Sequence, residues 1–219
     1  MKVKGILLAA GQGKRFGGKK QFIKLNGKFL FEYSLETMEK IDELDEIIIV
    51  LPEEDMSIPI NSSKKIRKVP GGKERQFSVY NALKNIENAD IVVIHDSARI
   101  FVSVKMFQNS IKNVASGYDG SVTAIKARDT IKEIDDKKIL KTLDRNRLII
   151  VQTPQAFDFK KLLKAHEFAL EKGVIGTDDA SLMELLDYNI TYNEGSFLNF
   201  KITEKDDLIL AKCLLKGGN

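Results

Sequence analysis

Segments with strand character and segments with helix character alternate along almost the whole chain, and this alternation limits the fold more than any other feature. Short apolar runs such as Val3–Ala10 and Ile91–His95 predict buried strands, and Val104–Ala115 has the apolar spacing of a helix. Parallel strands need crossover connections of helical length, so this order predicts a three-layer α/β fold with a mostly parallel sheet. The 219 residues fit one such domain. We expect residues 1–219 to form it.

The remaining segments follow the same pattern, with one exception. Further predicted strands are Glu46–Leu51, Lys64–Val69, Ser121–Lys126 and Leu148–Val151, and further predicted helices are Phe29–Ile41, Glu74–Ile86, Phe159–Glu171 and Asp178–Leu186. The exception is Asp129–Asp144, where two short alternating runs flank Asp135 and Asp136 and predict a charged β-hairpin. We interpret it as an arm that protrudes from the domain. Thr203-x-x-Asp206 predicts the cap of the last helix.

Charge and composition exclude several classes of function. Lys plus Arg number 35 and Asp plus Glu number 31, and the resulting net charge of +4 is too small and too scattered for a nucleic-acid or membrane partner. The sequence has neither a long uncharged apolar run nor a signal-peptide pattern, so we expect a cytoplasmic protein. Cys213 is the single cysteine, which excludes an intrachain disulfide. It lies in an apolar helical stretch, so we expect it in the core.

A glycine-rich loop follows the first predicted strand and predicts a phosphate site. Gly11 and Gly13 permit a sharp turn that brings backbone N–H groups close to an anion. Arg15, Lys19 and Lys20 follow closely and can neutralise phosphate charge. Open α/β sheets bind ligands at the carboxyl edge of their strands, which is where this loop begins. The pattern therefore favours a nucleoside triphosphate site.

Two familiar phosphate-loop motifs do not match this loop. A Walker A loop places Ser or Thr after Gly-Lys to bind magnesium, but Lys20 stands there after Gly18 and Lys19. A dinucleotide-binding fingerprint that starts at Gly11 needs its third glycine at the position of Phe16. A nicotinamide-dependent oxidoreductase is therefore disfavoured.

Two further motifs carry candidate chemistry, and each also has a plain structural interpretation. Gly71 and Gly72 precede a predicted helix and form either a simple turn or a site where Ser78 approaches a base or ribose. Asp96 ends an apolar strand at the same sheet edge as the glycine loop. It either caps the next turn or holds Mg²⁺ that bridges triphosphate oxygens.

Seven motifs together resemble one family in order and spacing over essentially the whole chain. They are Leu8–Arg15, Pro70–Val79, Val92–Arg99, Arg128–Lys132, Gln152–Phe157, Gly176–Ala180 and Asn199–Thr203. The chain resembles the 2-C-methyl-D-erythritol 4-phosphate cytidylyltransferases of isoprenoid biosynthesis, whose close relatives are the ribitol-5-phosphate cytidylyltransferases. The resemblance implies a Rossmann-like nucleotidyltransferase fold and Mg²⁺-dependent transfer of CMP from CTP to the polyol phosphate, with release of pyrophosphate. Transfer to ribitol 5-phosphate, or CTP binding for regulation without turnover, are the alternatives.

The resemblance also implies residue roles. The catalytic residues are Arg15, Lys20, Asp96 and Lys201, with Asp96 as the magnesium ligand; the nucleotide-binding residues are Ala9, Ala10, Gly11, Gly13, Gly72, Lys73, Ser78 and Ser97; the acceptor-binding residues are Arg99, Thr130, Arg145, Thr153 and Thr177. The arm, residues 129–146, is expected to reach into a second copy of the chain and to form a homodimer. Neither His95 nor His166 is expected to be catalytic, and His166 has no partner motif.

At four positions the sequence departs from the family pattern. They are Lys19, Ser97, Ile100 and Phe200, where the family usually has Pro, Ala, Pro and Ile. None of them removes a catalytic functional group, but Ser97 and Ile100 are expected to affect the floor of the pocket, and Lys19 adds charge beside Lys20.

Overall fold

The computed structural model of the chain describes residues 1–13 and 15–217. The described strands are β1 (Val3–Leu8), β2 (Lys24–Leu25), β3 (Lys28–Phe29), β4 (Leu44–Leu51), β5 (Ile66–Pro70), β6 (Ile91–Asp96), β7 (Gly120–Lys126), β8 (Lys132–Asp135), β9 (Lys138–Thr142), β10 (Ile149–Asp158) and β11 (Ile190–Glu194). The described α-helices are α1 (Leu30–Glu39), α2 (Arg75–Lys84), α3 (Val104–Ala115), α4 (Phe159–Lys172), α5 (Asp179–Glu184) and α6 (Lys205–Gly217).

Seven strands form the central sheet, in the order β11-β7-β10-β6-β1-β4-β5. β1 pairs in parallel with β4 and β6, β4 with β5, and β7 with β11. β10 is antiparallel to both of its neighbours, β6 and β7. The prediction of a mostly parallel sheet is therefore confirmed.

Helices cover both faces of this sheet because successive residues of its buried strands point to opposite sides. Ile6 of β1 belongs to the apolar core under α2, α4 and α5, together with Val79 and Leu162. Leu7 belongs to the opposite core, under α1 and α3, together with Phe107. The three layers predicted from the alternation of strands and helices are confirmed.

β8 and β9 form a separate two-stranded hairpin, as the sequence predicts. Every residue of both strands is exposed, including Ile134 at 62% and Ile139 at 61%. The hairpin therefore projects from the body of the chain and has no core of its own.

The strand predicted at Leu148–Val151 is longer than expected and is displaced. β10 begins at Ile149 and continues to Asp158, through the Gln152–Phe157 motif that the sequence placed after the strand. Pro154 indicates the end of a strand, but a shift in the pairing with β7 between Val151 and Gln155 accommodates it. The sequence also gave no indication of β11, which is short and alternates with polar residues.

The last helix differs from its prediction in two details. Cys213 is exposed rather than in the core, because α6 buries Ala211 and Cys213 lies two residues on, toward the opposite face. The N–H and hydroxyl of Thr203 bond Asp207 at 2.7 and 2.8 Å, so the partner of Thr203 is Asp207 and not Asp206. Within residues 1–13 and 15–217, no helix has the length and apolar character needed to cross a membrane.

Candidate active site

The candidate site lies at the carboxyl edge of the parallel strands. Leu8, the last residue of β1, is paired with Asp96, the last residue of β6. The glycine loop after β1, the Gly71–Gly72 turn after β5 and the Asp96 carboxylate therefore emerge side by side. Open α/β sheets bind their ligands at this edge.

A cavity of about 330 Å³ lies between the two glycine segments. Its lining includes every residue that the sequence analysis assigned to nucleotide binding, and also Arg15, Lys20, Asp96 and Lys201. The predicted nucleotide-binding residues, which come from three separate segments of the chain, are thus brought together in one place.

Two glycines of this cavity are required by the packing around them. Gly13 has φ +63°, and a Cβ there would lie 1.8 Å from the carbonyl oxygen of Gly18. A Cβ at Gly72 would lie 2.4 Å from Cβ of Phe77. The Gly72 N–H in turn donates to Oγ of Ser78 at 3.0 Å, so Ser78 fixes the turn from the first part of α2.

The two lysines after the glycine loop have different environments. Lys20 lines the nucleotide cavity, and its Nζ donates to the carbonyl oxygen of Ile202 at 2.5 Å. Burial, with a smaller contribution from Lys201, lowers the pKa of Lys20 to about 8. Lys19 instead pairs with Glu54 at 2.7 Å and Asp55 at 2.5 Å. The expectation that Lys19 adds its charge beside Lys20 is therefore wrong, because two carboxylates hold the Lys19 ammonium.

A second cavity of about 590 Å³ adjoins the first. Arg99, Thr153 and Thr177, which the sequence analysis assigned to the acceptor, line it. Arg99 donates from Nη1 to the carbonyl oxygen of Asn199 at 2.9 Å, while its buried Nε has no partner among the described residues. As a lining residue, Arg99 brings a guanidinium to this cavity, and a guanidinium is suited to bind an anion.

Asp96 stands where the two cavities meet. Its Oδ2 accepts from Lys201 at 2.7 Å and its Oδ1 from Arg75 at 3.2 Å, and all three residues line both cavities. Burial acts to raise the pKa of Asp96, but the charges of Lys201 and Arg75 hold it well below its usual range. The carboxylate is therefore ionised at neutral pH.

Thr153 and His95 hold the backbone at Asp96. The Thr153 hydroxyl accepts from the Asp96 N–H at 3.0 Å and lies 3.0 Å from Nδ1 of His95. Burial lowers the pKa of His95 to about 3, so the ring is neutral. Its Nε2 faces the Arg99 carbonyl at 3.3 Å, which can only accept, so Thr153 donates to Nδ1. His95 therefore has a structural role, since its ring supports the backbone at Asp96 through Thr153.

Thr130 and Arg145 lie apart from these groups. Both are exposed at the base of the hairpin, and neither is among the described residues that line the two cavities. Arg145 donates from Nη1 to the carbonyl oxygen of Arg128 at 2.6 Å. One copy of the chain thus does not bring its own arm residues to its own cavities.

A buried ion-pair chain, which no sequence motif indicates, lies behind the site. Arg75 Nη1 donates to Asp179 at 2.7 Å, and Oδ1 of Asp179 lies 3.1 Å from Nε2 of His166. His166, for which the sequence indicates no partner motif, thus has Asp179 as a buried partner. Arg75 and Asp179 are 104 positions apart in the chain, so no local pattern reveals that they pair. Arg75 nevertheless lies inside a motif that resembles the family.

The residues around Asp96 fit a divalent cation of the kind that the resemblance implies. No three His, Cys, Asp or Glu side chains converge in the described ranges. Mg²⁺ usually binds through one or two carboxylates together with substrate phosphates. The ionised carboxylate of Asp96, at the wall of the nucleotide cavity, suits that arrangement.

Comparisons with known proteins agree with this geometry. The family model described as 2-C-methyl-D-erythritol 4-phosphate cytidylyltransferase matches residues 3–217. A protein of that name from Aquifex aeolicus is 47% identical over 210 residues, which cover 96% of each chain. Another from Dictyoglomus thermophilum is 42% identical and covers 98% of this chain and 96% of its own.

Solved structures give the same result. The 4-diphosphocytidyl-2C-methyl-D-erythritol synthase of Anaerococcus prevotii superposes with a TM-score of 0.88 at 32% identity, covering 98% of this chain and 96% of its own. The cytidylyltransferase of Francisella tularensis gives 0.84 at 31% identity, with 97% and 99% covered. The chain therefore belongs to the 2-C-methyl-D-erythritol 4-phosphate cytidylyltransferase family.

Proposed function

We propose that this chain transfers CMP from CTP to 2-C-methyl-D-erythritol 4-phosphate and releases pyrophosphate, at the junction of the two cavities. The observation that carries the proposal is that the nucleotide and acceptor cavities share Asp96 and Lys201. A shared wall brings the α-phosphate of one substrate next to the phosphate of the other. Membership of the family supports the choice of both substrates.

The nucleotide binds in the smaller cavity. The loop at Gly11 and Gly13 offers backbone N–H groups to the triphosphate, which lies along Arg15 and Lys20. Gly72 and Lys73 contact the cytosine, and the hydrogen bond from the Gly72 N–H to Ser78 holds this turn in place. The remaining wall is formed by Ala9, Ala10, Ser78 and Ser97.

The acceptor binds in the larger cavity, with its phosphate toward Lys201 and Arg99. Arg99 supports this orientation, because it lines the cavity and its guanidinium can bond a phosphate oxygen. Lys201 then exchanges part of its contact with Asp96 for the phosphate. Thr177 and Thr153 border the same cavity and contact the polyol.

The reaction requires charge stabilisation rather than a general base. A phosphate monoester with a second pKa near ~6 is largely dianionic at neutral pH and is already a nucleophile. One of its oxygens attacks the α-phosphorus of CTP, and the bond to the pyrophosphate oxygen breaks. Lys20 and Arg15 stabilise the negative charge that builds up on the α-phosphoryl group and on pyrophosphate.

Family members generally use a divalent metal ion, and we propose Mg²⁺ with Asp96 as its protein ligand. When bound, the ion neutralises charge on the triphosphate oxygens. Asp96 is held for this role by the Thr153 hydroxyl at its backbone and by Arg75 at Oδ1.

We further propose that residues 129–146 form the arm of a homodimer. Ile134, Ile139 and Leu140 are 50% to 62% exposed on the hairpin, and Ile150 at the start of β10 is 49% exposed. Isolated hairpins are marginally stable in water, so apolar side chains of this size favour cover by another chain. A second copy accounts for Arg145 and Thr130 as acceptor contacts, since they lie away from the cavities of their own chain.

The test is a coupled assay for pyrophosphate with purified protein, Mg²⁺ and CTP, with each acceptor supplied separately. We expect turnover with 2-C-methyl-D-erythritol 4-phosphate and loss of turnover when EDTA removes the metal. Turnover with ribitol 5-phosphate but not with 2-C-methyl-D-erythritol 4-phosphate supports the alternative function of a ribitol-5-phosphate cytidylyltransferase. CTP binding with no turnover on either acceptor supports the regulatory alternative.

A further inference from the structure

Arg75 links the two cavities through a pair of carboxylates that lie on different elements. It is the first residue of α2, directly after the nucleotide-binding turn. Its Nε bonds Asp96 at the end of β6, and its Nη1 bonds Asp179, the first residue of α5. Both carboxylates are buried, at 7% and 1% exposure. One guanidinium therefore ties three elements that meet at the edge of the sheet.

Asp179 itself has no direct route to the substrates. It is not among the described residues that line either cavity, whereas its neighbours Thr177, Asp178 and Ala180 line the acceptor cavity. Its two oxygens are taken by Arg75 and His166. Any effect of its carboxylate on the chemistry must therefore pass through one of these partners.

The planar guanidinium makes Arg75 sensitive to this second carboxylate. With both carboxylates in place, the hydrogen bonds from Nε and Nη1 hold the guanidinium plane in one orientation. The guanidinium in turn holds the position of Oδ1 of Asp96. When Lys201 turns toward a phosphate, it gives up part of its contact with Asp96. Arg75 then remains as the cation bonded to the Asp96 carboxylate. Without the Asp179 charge, Arg75 has one carboxylate partner and is free to rotate about its long side chain.

We propose that Asp179 is a positioning residue for the transfer reaction, acting through Arg75 to hold the Asp96 carboxylate between the two cavities. The inference rests on the proposed function. The same ion-pair chain joins the acceptor-cavity segment, residues 176–180, to the nucleotide cavity, so the two walls keep a fixed relation during catalysis.

The test compares Asp179→Asn with wild type in steady-state kinetics and in CTP titrations. The variant keeps the size of the side chain and removes its charge. Because small misplacements of reacting groups are costly, we expect kcat to fall at least about tenfold. The Kd for CTP should stay within about twofold, since Asp179 lies outside the nucleotide cavity. An unchanged kcat overturns the inference.

A double-mutant cycle separates this role from a general effect on folding. If Asp179 acts through Arg75, adding Asp179→Asn to Arg75→Gln should lower kcat by less than about twofold further. If the double variant lowers kcat by the product of the two separate factors, Asp179 acts independently of Arg75 and the inference is overturned. Glu46→Gln is the matched control, because Glu46 is also a buried carboxylate paired with an arginine, Arg67, but lies away from both cavities. It should lower Tm and leave kcat unchanged.

Arg75→Lys keeps the test decisive if the Asn variant does not fold. Lysine keeps the positive charge but lacks the fork that bonds two carboxylates at once. We expect a Tm close to that of wild type with kcat at least about tenfold lower, and wild-type kcat contradicts the inference. Turnover by the wild-type protein is measured first. If the wild type is inactive, the result counts against the proposed function. If the wild type is active and the variants are equally active, the result counts only against the role of Asp179.

Discussion

At the scale of single residues, Lys20 carries the largest share of the proposed chemistry. Its ammonium lines the nucleotide cavity, and its described hydrogen bond goes to the carbonyl oxygen of Ile202. The nearby cations Lys201 and Arg15 repel it, so it is better satisfied by a phosphate than by its surroundings in the free protein. This is the environment expected of a group that binds charge formed during the reaction.

Lys20→Ala should lower kcat by about 100-fold or more, because it removes a preorganised cation from the reacting phosphate. The fold should persist, since one hydrogen bond to a carbonyl contributes only about 1 kcal/mol. Pyrophosphate release measures the first effect and a thermal melt by circular dichroism the second. Activity like that of wild type removes Lys20 from the mechanism.

The lowered pKa of Lys20 predicts a pH dependence. The lysine is protonated below about pH 8 and loses its charge as the pH rises through that value. We therefore expect kcat/KM for CTP, which reports the free enzyme, to fall above about pH 8. Lys20→Arg should remove this fall, because arginine stays protonated. A profile that is flat to pH 10 in wild type, or a fall that persists in the Arg variant, contradicts the assignment.

At the scale of elements, the turns after β1 and β5 form the nucleotide cavity, and glycine geometry controls them. Gly13→Ala places a Cβ 1.8 Å from the Gly18 carbonyl oxygen and should distort the loop. We expect the Kd for CTP to rise at least about tenfold, as measured by isothermal titration. Gly18→Ala is the matched control, because a Cβ there meets nothing within 4 Å. Equal affinities of the two variants contradict the role of the Gly13 turn.

The elements also show what the sequence could and could not predict. β1 and β6 were recognised because buried parallel strands are continuous apolar runs. The strand predicted at Leu148–Val151 ends too early, since the shift in pairing that lets β10 continue past Pro154 depends on the neighbouring strand. Cavity residues near Gly13 and Asp96 were found from their motifs. The Arg75–Asp179 pair was not, because tertiary packing alone brings its two residues together.

At the scale of the whole molecule, the proposed homodimer makes each site depend on two chains. If the arm crosses to the partner, a chain with Arg145→Ala and a chain with Lys20→Ala should complement each other. In such a heterodimer, one site has its own Lys20 and the intact arm of the partner. We expect verified heterodimers to recover about half of the wild-type activity, because one of two sites is complete.

Activity of the mixture is compared with that of each homodimer alone, after tandem-tag purification confirms the mixed pair. Both homodimers should be inactive. Recovery in the heterodimer supports an arm that works across the interface, and no recovery argues against a site shared between two chains.

The cytoplasmic location and the preference for Mg²⁺ stay predictions.

The most direct test of the central claim is product formation, followed by ³¹P NMR, from CTP and 2-C-methyl-D-erythritol 4-phosphate with Mg²⁺. We expect two coupled diphosphate resonances of 4-diphosphocytidyl-2-C-methyl-D-erythritol together with an equal amount of pyrophosphate, and we expect neither from Lys20→Ala. Absence of this product from folded wild-type protein that binds CTP would contradict it.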